Sequence, residues 1–282
     1  MSSTLFRPIP STGQLPRVCV FDLDHTLIAG DATVDWTRYL LEEKLVTDPR
    51  FLEVDRLMEE RYIAGTLLLE DYLREIIPFF SYLSMDELAV HGERFMARYI
   101  APTVYQEGLD AIAEARRLGM DVMIISASNT FLVQPIGEKL LGIPESFGVD
   151  LATHENHLTG EVVGVPPFQA GKIHCLEKQL ASLGHTLSEV VFFTDSRNDL
   201  PLARAAGDCY CVNPDPKLAA EAQKAGWPIL PWQNKIGKNS WRSALLCRLN
   251  ILICRQIVAI WALNTNRMTF PLKKEKNVKK SR

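Results

Sequence analysis

Four short, largely apolar runs set the tightest limit on how this chain folds: Val18 to Phe21, Asp121 to Ser126, Glu189 to Thr194, and 208–212. A short apolar run bounded by turn signals reads as a buried strand. Between the later runs, apolar residues recur every three or four positions, the pattern of helices packed through one face. Strands apolar on both faces that alternate with helices predict a parallel sheet covered on both sides. Ligands bind such sheets at the carboxyl ends of the strands. Asp22 and Asp24, Ser126 and Asp195 each stand at such an end. Far apart in sequence, they should converge on one edge of one sheet.

The first pair is chemically the most demanding. Asp22 and Asp24 are two residues apart, so on an extended backbone they would share one face. Like charges that close repel unless a cation sits between them or one keeps its proton. That suits a metal-assisted site in which one carboxylate attacks and the other shuttles a proton. Aspartates at strand ends also serve as turn formers and helix caps, and a lysine such as Lys172, taken alone, is more often a solvated helix lysine. It is the meeting of several roles in one pocket that favours chemistry.

The alternation organises the rest. Residues 1–16 carry Pro8, Pro10 and Pro16 and no continuous apolar stretch, so they read as an irregular leader rather than a signal peptide. Residues 17–30 and 101–232 form the predicted core. Between them, 31–100 hold no convincing strand; Trp36, Tyr39, Leu40, Phe51, Val54, Leu57 and Met58 recur at helical spacing. Asp48-Pro49 and the Ser84/Glu87 pair are helix starts, and Gly65 and Pro78 are breaks, so 31–100 reads as an inserted helical bundle. In the core we expect helices over 104–118 (stopped by Gly119), 130–141, 170–183, 199–206 and 215–225. A hairpin is expected from Gly148 to Val163, and a last short strand near Trp227 to Leu230. Lys172 falls in the first turn of its helix.

The formal net charge of −3 hides an asymmetry: residues 1–232 carry 19 basic against 33 acidic side chains, and residues 233–282 carry 12 against one. The acidic body argues against nucleic acid as a partner. Residues 244–263 are about as apolar as a membrane span, but Arg248 and Arg255 interrupt them, at about 2.5–3.5 kcal/mol each for a central arginine. The basic, apolar extension 233–282 reads as a poorly ordered end, with an interfacial helix on anionic lipid as the alternative. None of the six cysteines forms a CxxC pair. Cys19, Cys209 and Cys211 lie in the apolar runs and read as buried reduced thiols. His154 and His157 in the predicted hairpin read as exposed polar residues rather than a metal pair.

Four separated motifs, in order, carry a resemblance: Asp22-Leu-Asp24-His-Thr26, Ser126 at a strand end, Lys172 in Ala-Gly-Lys, and Thr-Asp195-Ser-Arg-Asn198-Asp199. Over about residues 17–232 the chain resembles haloacid dehalogenase superfamily phosphatases of subfamily IB, the phosphoserine-phosphatase-like and histidinol-phosphatase-like group. The resemblance implies an α/β fold, with a Rossmann-like doubly wound parallel core and an inserted helical-bundle cap of the C1 type over 31–100. It implies a cytoplasmic, magnesium-dependent hydrolase of small phosphorylated metabolites. Asp22 would attack phosphorus and Asp24 would act as acid and then base. Asp22, the backbone carbonyl of Asp24, and Asp195 would hold magnesium; Asn198 and Asp199 would support the metal waters or Lys172. Lys172 would offset the negative charge, Ser126 would bind a phosphoryl oxygen, and Thr26 would order the loop. His25 takes no catalytic role, and Arg197 faces either substrate or solvent. Asp24 favours phosphate esters over dehalogenation.

For the substrate, Asp31 aligns with an acid that contacts the amino group in phosphoserine phosphatase, or it is simply a helix cap. The arginine that binds the substrate carboxylate in those enzymes aligns with Ile76, two residues from Arg74. This departure favours an amino-bearing phosphate without a carboxylate, such as histidinol phosphate, over phosphoserine. The aromatic residues Trp36, Tyr39, Tyr62, Tyr72, Phe79 and Phe80 either stack on an imidazole or form the bundle's own core. A membrane-associated phosphatase of lipid headgroups, or a non-catalytic scaffold, is the remaining alternative.

Overall fold

The computed structural model describes residues 5–64 and 68–236. Nearly all of the extension 233–282, including the apolar stretch 244–263, therefore lies outside the described residues. Among the described residues no helix is long and apolar enough to cross a membrane.

The strands are β1 (Val18–Phe21), β2 (Asp121–Asn129), β3 (Ser146–Val149), β4 (Leu151–His154), β5 (His157–Val162), β6 (Val190–Thr194), β7 (Asp208–Val212) and β8 (Ile229–Leu230). Six form one parallel sheet in the order β3-β2-β1-β6-β7-β8. Phe21 at the end of β1 stands opposite Ile124 on one side and Phe193 on the other. The pleat divides each strand between two cores. Cys19, Phe21, Val122, Ile124, Val191, Phe193, Tyr210 and Val212 pack on one face. Val18, Val20, Met123, Ile125, Val190, Phe192, Cys209 and Cys211 pack on the other. Burying an aromatic or aliphatic side chain of this size contributes about 1.5–3 kcal/mol, which is why the middles of these strands are apolar and their polar residues stand toward the strand ends. The four described cysteines are all free thiols.

Helices α1 (Ala32–Glu42), α2 (Arg50–Ala64), α3 (Leu69–Ile76) and α4 (Met85–Phe95) all fall between β1 and β2, where α5 (Gln106–Arg117) also precedes β2, and α6 (Thr130–Pro135) follows it. Asp48 accepts from the Arg50 amide at the start of α2, and Ser84 with Glu87 forms a complete capping box on α4. Trp36 stacks on Tyr39 at 5.3 Å and meets Phe80 and Phe95 edge-on. The aromatic residues thus supply the core of this insert, as one of the two expected readings had it, and Phe79 packs against Phe51. The Tyr62 side chain lies outside the described residues.

Two elements differ from expectation. The expected hairpin from Gly148 is shorter: β4 and β5 pair antiparallel, while Gly148 belongs to β3, a further parallel strand of the main sheet. A Cβ at Gly148 would lie 2.5 Å from the Ser128 carbonyl oxygen. The glycine marks a close backbone approach and so conceals the strand. β2 also runs three residues beyond Ser126, to Asn129. The β4–β5 hairpin leans on the insert: Asn156 accepts from the Met85 amide, and His157 Nδ1 meets the Ser81 carbonyl at 3.0 Å. Residues 5–16 hold no helix or strand, yet they are packed. Phe6 and Ile9 are buried, and Arg7 grips Asp208 through two bonds of 2.7 and 2.8 Å.

Candidate active site

The last residue of β1 is followed by Asp22, whose amide still donates to the Phe193 carbonyl in the sheet. The chain then turns sharply, with His25 in the left-handed region at φ 56°. This turn gives the two carboxylates different surroundings. Asp22 Oδ1 accepts from Lys172 Nζ at 2.8 Å, and Asp22 Oδ2 lies 3.4 Å from Thr26 Oγ1. Asp24 Oδ2 accepts from Ser126 Oγ at 2.9 Å and Ser128 Oγ at 2.7 Å, and its Oδ1 accepts from the Ala32 amide at 2.7 Å.

Lys172 arrives on α7 (Gly171–Leu183). It shares a buried stripe with Leu176 and Leu180, at the i, i+4, i+8 spacing that faces a helix toward a sheet. Its ammonium bridges Asp22 and Asp199 Oδ2, both at 2.8 Å, and lies 5.7 Å from the centre of the Phe192 ring. Thr194 Oγ1 donates to the same Asp199 oxygen at 2.7 Å. Asp195 Oδ1 meets Thr26 Oγ1 at 3.2 Å. Asn198 sits in the turn Arg197–Asp199 that opens α8 (Leu200–Ala205), with its amide donated to Ser196 Oγ.

A Cβ at Gly171 would fall 2.0 Å from the Pro166 carbonyl oxygen, whereas one at Gly92 in α4 would meet nothing within 4 Å. The Pro166 backbone cannot swing aside as a side chain can. Gly171→Ala is therefore expected to destabilise the protein by about 1–3 kcal/mol, while Gly92→Ala changes stability by less than about 1 kcal/mol. Urea melts of the two variants check this; equal effects would refute the steric account of Gly171.

Burial governs the electrostatics. It pushes Asp22 up to about 7 against the pull of Lys172, with Asp199 and Asp24 adding repulsion. It pushes Asp24 up to about 6, helped by Asp31 and opposed by the three hydrogen bonds. Asp195 is raised to about 8 by burial, then by Asp22 and Asp199. Burial also opposes the Lys172 charge, but Asp199 and Asp22 outweigh it and hold the ammonium well above its usual range.

Buried Asp22 and half-buried Asp195 thus meet across the buried Thr26 hydroxyl, with a single lysine serving Asp22 and Asp199. Among the described residues no three His, Cys, Asp or Glu side chains converge as a metal site. Two carboxylates completed by a main-chain carbonyl and water are nonetheless an all-oxygen set that suits a hard cation, and a cation there would relieve the repulsion that raises both groups.

Asp22, Asp24, Thr26, Ser126, Lys172, Asp195, Asn198 and Asp199 therefore lie together at the carboxyl ends of β1, β2 and β6 and the start of α7. Asp31 accepts through Oδ1 from the Thr33 and Val34 amides at the start of α1. Its cap role is met in full, and burial raises it. Arg197 and His25 are exposed. His154 is exposed, and His157 bonds the Ser81 carbonyl. Two contributors have no expected role in the sequence: Thr194 and Ser128. The signal for Ser128 was its spacing, since Ser126 and Ser128 stand two apart on one strand and so share a face.

Residues 19–204 match the haloacid dehalogenase-like hydrolase family. A histidinol-phosphatase from Neisseria meningitidis serogroup C is 33% identical over 220 residues, 77% of this chain and 99% of that protein. A phosphoserine phosphatase from Mycobacterium tuberculosis is 25% identical over 218 residues, 76% of this chain and 70% of that one. A solved structure of a protein of unknown function from Bordetella pertussis Tohama I superposes with a TM-score of 0.71 at 29% identity, covering 77% of this chain and 98% of that one. With the motif residues gathered at one sheet edge and these relatives beside it, the chain belongs to the haloacid dehalogenase-like hydrolase family, as one of its phosphatases.

Proposed function

We propose that the protein hydrolyses the phosphate monoester of a small amino-bearing alcohol, histidinol phosphate being the best fit, through an aspartyl-phosphate on Asp22. The observation that carries this reading is the division of labour between two neighbouring carboxylates. Asp22 is paired with a buried lysine, and Asp24 is held by hydroxyls and an amide. Carboxylates in such different settings take different roles. In the proposed reaction Asp22 attacks phosphorus in line, and Asp24 gives a proton to the departing alkoxide and then takes one from water. Lys172 and Ser126 balance and orient the phosphoryl oxygens. Asp22, the Asp24 carbonyl and Asp195 would hold magnesium, with Asn198 and Asp199 supporting that shell and Thr26 the loop. Magnesium, when bound, supplies the positive charge that gathers two anions and the phosphate.

Residues 31–100 are proposed as the cap that closes over the leaving group. Three observations support an amine without a carboxylate. Asp31 lies near enough to Asp24 to raise it, and its Oδ2 makes no hydrogen bond among the described residues. Arg74 is exposed and paired with Asp71, and Ile76 is buried, so neither offers a guanidinium to a carboxylate. The 33% identical relative is named for histidinol phosphate over nearly its whole length.

A panel of phosphate esters with magnesium tests the reading. Histidinol phosphate is expected to show a kcat/KM at least about tenfold above phosphoserine and p-nitrophenyl phosphate, a modest discrimination for one buried recognition contact. Preference for phosphoserine would move the assignment to the other group of relatives.

A further inference from the structure

The hydrogen bonds around Asp24 point to a residue outside the motifs. Ser128 is 5% exposed, and its Oγ lies 2.7 Å from Asp24 Oδ2 and 3.0 Å from Thr33 Oγ1 on α1. The Ser128 amide donates to Ser126 Oγ at 3.0 Å. Each hydroxyl has one hydrogen and two lone pairs. Ser126 therefore gives its hydrogen to Asp24 while receiving the Ser128 amide. With Asp24 ionised, Ser128 also gives its hydrogen to Asp24, so the Thr33 hydroxyl must donate to Ser128. In the proposed reaction Ser126 turns its hydrogen to a phosphoryl oxygen. Ser128 is then the one hydroxyl left on Oδ2, with the Ala32 amide on Oδ1. A hydroxyl also reverses its donor sense without moving heavy atoms, so the Thr33–Ser128 pair fits Asp24 in either protonation state.

We infer that Ser128 is a positioning residue that, backed by Thr33, holds the Asp24 carboxyl group toward the leaving oxygen. This rests on the acid–base role proposed for Asp24. In the step concerned, an Asp22 oxygen bonds to phosphorus and the bond from phosphorus to the alcohol oxygen breaks. The alcohol oxygen keeps the electron pair and takes the proton from Asp24. Only a poor leaving group needs that proton, so misplacing Asp24 harms alkyl esters and spares activated aryl esters.

The test measures kcat/KM, which reports steps through phosphoenzyme formation, with magnesium on two esters: the best alkyl phosphate of the panel and 2,4-dinitrophenyl phosphate. Ser128→Ala is expected to lose about 10–100-fold on the alkyl ester, within the range of general acid catalysis, and less than about threefold on the aryl ester. Thr33→Val, isosteric and farther from Asp24, should show the same pattern at about 3–10-fold on the alkyl ester, and decides alone if Ser128→Ala does not fold. Equal losses on both esters, or none on either, overturn the inference. Asp24→Asn separates the two failures. A steep ester dependence there beside a flat one in Ser128→Ala overturns the positioning role only. A flat response in Asp24→Asn overturns the acid role, and the inference with it.

Discussion

Asp22→Asn is expected to lower kcat/KM by about 10,000-fold or more, the scale of removing a covalent nucleophile, while the metal-free protein melts at the same temperature or higher. The second half follows from the electrostatics. Asp22 is held up to about 7 by burial despite its lysine, so its charged form is disfavoured where it sits. Asparagine removes the repulsion with Asp199 and Asp24, and Lys172 keeps its 2.8 Å partner in Asp199. Trading function for stability in this way is common where a site gathers like charges. Held as proposed by Asp22 and Asp195, magnesium would bind only the folded state, so it is expected to raise the melting temperature of the wild type by mass action; that rise should shrink sharply in Asp22→Asn. Phosphate release and thermal melts with and without magnesium measure all three effects. Turnover near the wild-type rate would sink the covalent role. A large fall in melting temperature would sink the claim that the site opposes folding.

The strands were legible because the sheet is buried on both sides. Val18–Phe21 and Val190–Phe193 are apolar at every position, and the runs in 121–126 and 208–212 are nearly so. Their carboxyl ends were legible for the same reason, as the first polar residues after such a run. β3 was not, because Gly148 is dictated by the Ser128 backbone pressed against it, and a glycine in a short run reads as a turn. Ser128 and Thr194 escaped for a different reason: each matters through what it donates to, Asp24 or Asp199, and such partners are set by tertiary structure. Asp31 shows the limit from the other side. Its position before α1 predicts a cap and is satisfied by one, so the cap alone says nothing of an amine. That part of the reading rests on its second oxygen and its nearness to Asp24.

Lys172→Ala is expected to cost about 3–5 kcal/mol of stability at pH 8, the effect of breaking a buried ion pair from one side, and much less at pH 5. Lys172 is 3% exposed and holds two carboxylates that are themselves buried. Without it, ionised Asp22 and Asp199 face each other with only the Thr194 hydroxyl and dipoles for company. The pH dependence follows from the raised pKa of Asp22. A carboxyl whose folded value lies above its unfolded one near 4 binds its proton more tightly when folded. Protonation thus favours the native state at low pH, and that advantage is lost as pH rises through about 7. In the wild type, Lys172 meets the charge that appears over this interval. In the variant nothing does, so the two stability curves should lie closest near pH 5 and diverge toward pH 8 in metal-free buffer. Urea melts across that range read the difference directly. Lys172→Met separates charge from packing, because it keeps most of the side-chain volume beside Leu176 and Phe192. If it recovers only a minor part of the loss, charge compensation dominates; if it recovers nearly all of it, Lys172 stabilises the fold by filling space, and its ammonium is present for catalysis alone.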